Sequence, residues 1–124
     1  MVLQLTTPLL DLKLQYEQLR EEVEPVLREV CDSQYFVLGP KVVELESEIA
    51  SYVGTSRAVG CASGSDALLL ALMALDVKPG DEVICPSYTF FATGGAIYRL
   101  GAIPIWADVD PITYNVTSET VNEA

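Results

Sequence analysis

The sequence predicts an α/β fold, a mostly parallel sheet with flanking helices, preceded by N-terminal helices. Three observations carry that prediction. Short apolar runs at 58–62, 82–85 and 103–107 alternate with stretches of helical character, which is the βαβ pattern of a sheet covered by helices. Half of the residues are hydrophobic and mean hydropathy is +0.30, so the chain has the apolar material to bury a core. Its 124 residues suit one domain, which by size scaling buries roughly two-thirds of the surface of the unfolded chain.

From Leu12 onward, Leu19, Val23, Val26, Leu27 and Val30 follow helical spacing while Glu17, Arg20, Glu21, Glu22, Glu24, Arg28 and Glu29 cover the other face, predicting an amphipathic helix. Pro25 removes a backbone donor inside that pattern at ~3 kcal/mol, so a break is expected near Glu24. Pro40, following Gly39, is the first-turn proline of a second helix. That helix is expected to bury Val42, Leu45, Ile49 and Val53 and to stop at Gly54. Ala58 to Ala62 then reads as a buried strand. Ser63-Gly64-Ser65-Asp66 leads into the helix Ala67 to Leu75, apolar almost all round and therefore expected to be covered on most sides.

Lys78-Pro79-Gly80-Asp81 has proline and glycine at the central positions of a type II turn, and Glu82 to Cys85 follows as a strand. A further helix is expected from Pro86 through Leu100, although Gly94 and Gly95 each weaken it by ~1 kcal/mol relative to alanine; a closely approaching neighbour would explain them. Ile103 to Ala107 is a strand, and the remainder reads as a turn and the start of another helix.

Charge and composition exclude several functions. Seven basic against eighteen acidic residues give a net charge of −11 and a pI near 4.1, which disfavours nucleic acid and anionic membranes as partners. The absence of histidine excludes Ser-His-Asp, Cys-His and His-metal chemistry within this chain. Cys31, Cys61 and Cys85, with no C-x-x-C pair, read as buried reduced thiols of a cytosolic protein. Met1 to Leu10 has no basic leader pattern, and the longest apolar run falls short of the ~20 residues of a membrane span. A cytoplasmic location is expected.

In parallel sheets small molecules bind where strand ends enter helices, and three such loops stand out. Ala62 to Asp66 offers unpaired N–H groups at a helix start, a glycine that lets a ligand approach, and two serine hydroxyls, the makings of a phosphate cradle. The same residues suit an ordinary helix cap, the reading favoured for them alone. Neither a P-loop nor a G-x-G-x-x-G fingerprint is present, which disfavours ATP and NAD. Pro86 to Thr93 sets aromatic rings at the next strand end, where one could stack on a planar cofactor, although Phe90 or Phe91 taken alone reads as core packing. In Asp108-Val109-Asp110-Pro111 a capped turn is favoured over a divalent-ion site, and no metal is expected.

Leu10-Asp11-Leu12-Lys13 with Gln15-Tyr16, then Tyr35 to Pro40, Ala62 to Leu68, Pro79 to Ile84, Pro86 to Phe90 and Asp108 to Pro111 occur in order. Together they resemble the N-terminal portion of the DegT/DnrJ/EryC1/StrS family of pyridoxal-phosphate-dependent sugar aminotransferases, over nearly the whole chain. The resemblance implies a fold type I (aspartate aminotransferase-like) large domain and a homodimer with shared active sites. It makes residues 1–40 an N-terminal helical segment and entrance loop, and 41–124 the first part of the large domain. It gives Gly64 and Ser65 the cofactor phosphate and Phe90 the pyridine ring, with Tyr35 and Gly39 near the substrate entrance. Asp66 is then expected to cap its helix, since pointing inward it would repel the phosphate.

The implied activity is transfer of an amino group, commonly from glutamate, to a keto group of a nucleotide-linked deoxysugar in amino-sugar biosynthesis. The motifs lie closer to members acting on 3-keto than on 4-keto sugars. That chemistry needs a Schiff-base lysine and a carboxylate at the pyridine nitrogen, which the family supplies further along its chain. Lys13, Lys41 and Lys78 lie in the wrong motifs, so no catalytic residue is expected within these residues. The chain is expected to be a fragment, inactive alone, that stops inside the large domain without the small C-terminal domain. The alternatives are a non-catalytic phosphate- or nucleotide-sugar-binding module, a metal-dependent glycosyltransferase fragment using Asp108 and Asp110, and a fragment that assembles with copies of itself.

Overall fold

A computed structural model describes residues 9–124, so the Met1 to Pro8 part of the leader and segment readings lies outside the described residues. The chain divides into two compact units, one ending at Gly60 and the other spanning Cys61–Ala124.

The first unit is helical. Asp11 opens α1 (Leu12–Ser33) by accepting the Leu14 N–H through its carboxylate, and the helix ends at Gln34, whose backbone is left-handed. The expected break at Pro25 does not occur. The helix is exposed on both sides of Pro25, so the Glu21 carbonyl that loses its intrahelical donor lies where water can reach it, and a turn on either side carries the cost. Helix α2 (Pro40–Val53) starts and stops where the sequence places it, between Gly39 and a left-handed Gly54. Its stripe is a correction: Leu45, Ile49 and Val53 are exposed, and Ala50 is the residue of the helix that is buried. Periodicity marked the face that seeks cover, and within the first unit Val42 is half-buried while the rest of that stripe stays exposed.

Residues 58–62 form no strand. A strand requires a ladder partner, and among the described residues the sheet has two strands, neither of them paired with this segment. Its Gly60 N–H donates instead to the Glu46 carboxylate at 2.7 Å.

The second unit is a βαβ arrangement. Helix α3 (Gly64–Ala74) precedes strand β1 (Glu82–Pro86), helix α4 (Ala92–Arg99) and strand β2 (Ile103–Ala107), and helix α5 (Ser118–Glu123) closes the chain behind a Thr117–Thr120 capping box. The strands are parallel, with Glu82 opposite Ile103 and Pro86 opposite Ala107. The Lys78–Asp81 turn forms as read: the Asp81 N–H donates to the Lys78 carbonyl at 3.1 Å, and Gly80 has φ +91°, the conformation a type II turn demands at that position.

Helix α4 begins later than the sequence suggested, because Pro86 still belongs to the ladder and the Ser87 N–H is drawn to the Ala107 carbonyl at 2.8 Å. Its two glycines do have close neighbours. A Cβ on Gly94 would stand 2.5 Å from the Trp106 ring, and one on Gly95 3.2 Å from the Phe91 ring. Cys85, Ile97 and Ala102 form the core, with Leu72, Val77 and Val83 packed on it. Helix α3, expected to be covered, buries none of its residues fully, and Leu70 and Met73 are exposed. The thiols divide likewise: Cys85 is buried, whereas Cys31 and Cys61 are exposed and all three are free. Apolar neighbours in sequence did not become covering neighbours in space for the latter two.

Candidate functional site

The loop entering α3 is built by Ser63. Its extended backbone ends the preceding segment, its carbonyl accepts the Ala67 N–H at 2.9 Å, and its Oγ accepts the Asp66 N–H at 3.2 Å. The cap is therefore Ser63, not Asp66, because the Ser63 side chain is short enough to fold back onto the third amide of the helix. The Asp66 carboxylate is engaged in two other ways, by the Ser63 hydroxyl at 3.1 Å and by the Arg99 guanidinium at 3.4 Å. Gly64 and Ser65 are the first two helical residues, so helix geometry leaves their N–H groups without intrahelical acceptors. A Cβ on Gly64 would meet nothing within 4 Å, so a ligand can reach the backbone there.

Phe90 lies on the loop from β1 to α4 and is 78% exposed. It borders a cavity of about 130 Å³ with Ser87, Thr89, Phe91, Tyr98 and Trp106, floored by Gly94 and Gly95. The loop is pinned at its helical end by the Phe90 carbonyl, which accepts the Thr93 N–H at 3.1 Å, and by the Thr89 and Thr93 hydroxyls 3.0 Å apart. Gly64 and Ser65 are not among the walls of this cavity. Both elements belong to the second unit, but the described residues do not enclose them in one pocket.

Tyr35 and Gly39 come together within the first unit. A Cβ on Gly39 would collide with the Tyr35 carbonyl, so the turn between α1 and α2 closes only on a glycine. Tyr35 itself is exposed, while Gly39 is buried and its carbonyl accepts the Val42 and Val43 N–H groups.

The Asp108–Pro111 loop has a different use. One Asp110 oxygen accepts the N–H groups of Ile112 (3.1 Å) and Thr113 (2.7 Å) and the Thr113 hydroxyl (2.9 Å). The Thr113 N–H, then its hydroxyl, hold the Asp110 carboxyl below its ordinary range. Among the described residues no group of three or more acidic or sulfur side chains is placed to hold a metal. Sequence reasoning missed a ring pair that grows out of this turn, Tyr114 against Tyr88 with centroids 5.7 Å apart; twenty-six positions separate the two, and no local pattern signals it.

The profile of the DegT/DnrJ/EryC1/StrS aminotransferase family matches residues 17–124. The chain belongs to that family. Among relatives of this DegT/DnrJ/EryC1/StrS chain, a pleiotropic regulatory protein of Geobacillus stearothermophilus is 48% identical over 97% of the chain. A UDP-N-acetyl-3-dehydro-alpha-D-glucosamine 3-aminotransferase of Acidithiobacillus ferrooxidans is 43% identical over 94% of it. The crystal structure of Streptomyces venezuelae DesV, solved in complex with a ketimine intermediate, superposes with a TM-score of 0.90 at 41% identity, covering 94% of this chain and 31% of that one. The fold is thus that of a partial α/β domain of these aminotransferases. The chain spans about a third of the length of the curated relatives it matches, 32% of each of the two named.

Proposed function

We propose that this chain forms the first part of the cofactor-binding domain of a cytoplasmic aminotransferase that moves an amino group, commonly from glutamate, to the 3-keto group of a nucleotide-linked deoxysugar. The observation that carries the reading is a coincidence at α3: the family match spans it, and its start offers open backbone N–H groups at Gly64 and Ser65. The family depends on pyridoxal phosphate, and the residues present fit part of that group. Gly64 and Ser65 would hold the phosphate through N–H groups and the Ser65 hydroxyl at the positive end of the helix. Engagement of the Asp66 carboxylate by Ser63 and Arg99 offsets the charge that would otherwise repel a phosphate there. Phe90, exposed and aromatic, would lie against the ring.

Pyridoxal phosphate supplies the electron sink and the carrier for the amino group. The described residues bind and orient; the lysine and carboxylate that the chemistry requires are proposed to come from further along the protein. In this reading residues 1–40 form the helical segment and entrance loop, with Tyr35 and Gly39 on the substrate side, and 41–124 the opening of the large domain. The enzyme works as a homodimer with shared active sites. The 3-keto assignment draws support from the relative named as a 3-aminotransferase.

The test expresses the longest reading frame containing this sequence and reads its visible absorbance with pyridoxal phosphate, then with glutamate. A cofactor band that moves on adding glutamate is the expected result, with Ser65→Ala weakening cofactor affinity by roughly tenfold. A protein that binds the cofactor without response to any amino donor overturns the enzyme reading. It would favour the second one, a non-catalytic phosphate- or nucleotide-sugar-binding module, which the regulatory name of the Geobacillus relative also suggests.

A further inference from the structure

We infer that Tyr114, held by the Asp110 turn, is a positioning residue for Phe90: its ring packs on Tyr88 and fixes the loop on which Phe90 is presented. The inference rests on the proposed role of Phe90 at the cofactor ring.

The chain of contacts is short. The Asp110 carboxylate gathers the donors of Ile112 and Thr113, and the backbone closes around it, with Tyr114 N–H on the Asp110 carbonyl at 2.8 Å and Asp110 N–H on the Asn115 carbonyl at 2.9 Å. Asn115 tightens the same turn by donating its side-chain amide to the Thr113 carbonyl at 2.9 Å. The turn forces Tyr114 into the left-handed region, φ +58°, a conformation that disfavours tyrosine and suits glycine or asparagine. The sequence nevertheless places a large ring there. That ring meets Tyr88 at a centroid distance of 5.7 Å with a 43° tilt, within the contact range of aromatic pairs and away from the disfavoured face-to-face sandwich.

Tyr88 stands two residues before Phe90 on a loop held at one end by Ser87 N–H to Ala107 and at the other by the Phe90 carbonyl to Thr93 N–H and the Thr89–Thr93 hydroxyl pair. Between those bonds the loop has no ladder to stiffen it. The Tyr114 ring, packed on Tyr88, anchors the middle of the loop from the Asp110 turn, and the strain at Tyr114 is the local cost of presenting it.

The test uses Tyr114→Gly, which removes the ring and relieves the backbone at once, so the variant keeps its fold, with Tyr114→Phe as the conservative partner. Amide hydrogen exchange at Thr93, whose acceptor is the Phe90 carbonyl, should quicken by roughly three- to tenfold in Tyr114→Gly, the loss of one aromatic pair, and stay unchanged in Tyr114→Phe. Exchange at Ile103, bonded to Asp81, serves as the control and should not move. In the longer protein loaded with pyridoxal phosphate, the same glycine variant should loosen cofactor binding by a similar factor, and phenylalanine should restore it. Unchanged exchange at Thr93 overturns the inference. Faster exchange with unaltered cofactor affinity overturns it too, leaving Tyr114 a purely structural residue. If the unsubstituted protein binds no pyridoxal phosphate, the cofactor reading fails, while the exchange arm still decides whether Tyr114 holds the Phe90 loop.

Discussion

Helices α2 and α4 each present an apolar face, yet Ile49 of α2 keeps 44% of its surface and Ile97 of α4 keeps 2%. The difference lies in what each helix meets. Helix α4 connects two hydrogen-bonded parallel strands and packs on both and on α3, so its apolar face is closed by Cys85 and Ala102. Helix α2 has Ala50 buried and Val42 half-buried, with Leu45, Ile49 and Val53 of its stripe exposed. Periodicity therefore tells which face of a helix seeks cover, and topology decides whether the same stretch of chain supplies it. Removing the buried methylenes of Ile97 should cost about 2–4 kcal/mol, since transfer and cavity terms add, while Ile49→Ala should cost under about 1 kcal/mol. Urea unfolding of the two variants checks this, and equal losses would show that α2 is as well packed as α4.

The same contrast explains what could be read in advance. The ends of α2 at Gly39 and Gly54, the Pro79–Gly80 turn and the β2 strand are fixed by residues with strong local preferences, and they stand where the sequence puts them. Gly94 was legible as a sign of close approach, although not the Trp106 ring that approaches it. Features that depend on a partner were not legible. Residues 58–62 have the apolar content of a strand and no neighbour to ladder with, Pro25 sits in a helix exposed enough to tolerate it, and the Asp66 side chain is used by Arg99 from thirty-three positions away. For the candidate site, Gly64 and Ser65 stood out as residue types at a helix start, whereas Phe90 was singled out by the family resemblance and not by its position alone. The Tyr88–Tyr114 pair that braces the loop depends on a turn strained at Tyr114, which no spacing rule announces.

The thiols sharpen the comparison at a smaller scale. Cys85 is 5% exposed within the α4 core, and burial pushes its thiol pKa up, so it has both less access and less thiolate. Cys31 on α1 and Cys61 ahead of α3 are exposed. Iodoacetamide at neutral pH, followed by peptide mapping, should label Cys31 and Cys61 together and Cys85 at least about tenfold more slowly. In Ile97→Ala the Cys85 rate should rise toward the others, because that side chain is part of its cover. Three equal rates in the unsubstituted chain would mean that the core around Cys85 opens often enough to give its thiol no protection.

The smallest effect belongs to α1, a helix with no buried residue, where local pairs must do what burial does for α4. The Glu24 carboxylate accepts from Arg20 Nε at 2.7 Å and from the Tyr16 hydroxyl at 2.9 Å. The Arg20 hydrogen bond first, then that of Tyr16, lowers its pKa below the ordinary glutamate value. A carboxyl depressed in the folded state contributes stability above its unfolded pKa and loses it as pH falls through the folded one. The helix signal of the unsubstituted chain should therefore exceed that of Glu24→Gln at neutral pH, and the gap should close as the solution is taken below the ordinary glutamate range. Comparing the two chains cancels the effect of the other glutamates on α1, which titrate in both. Because the pair is exposed, added salt should narrow the gap as well, whereas the Ile97→Ala loss, which is a matter of burial, should survive the same salt. A gap indifferent to both acid and salt would show that Glu24 supports α1 through helix propensity rather than through its bonds to Arg20 and Tyr16.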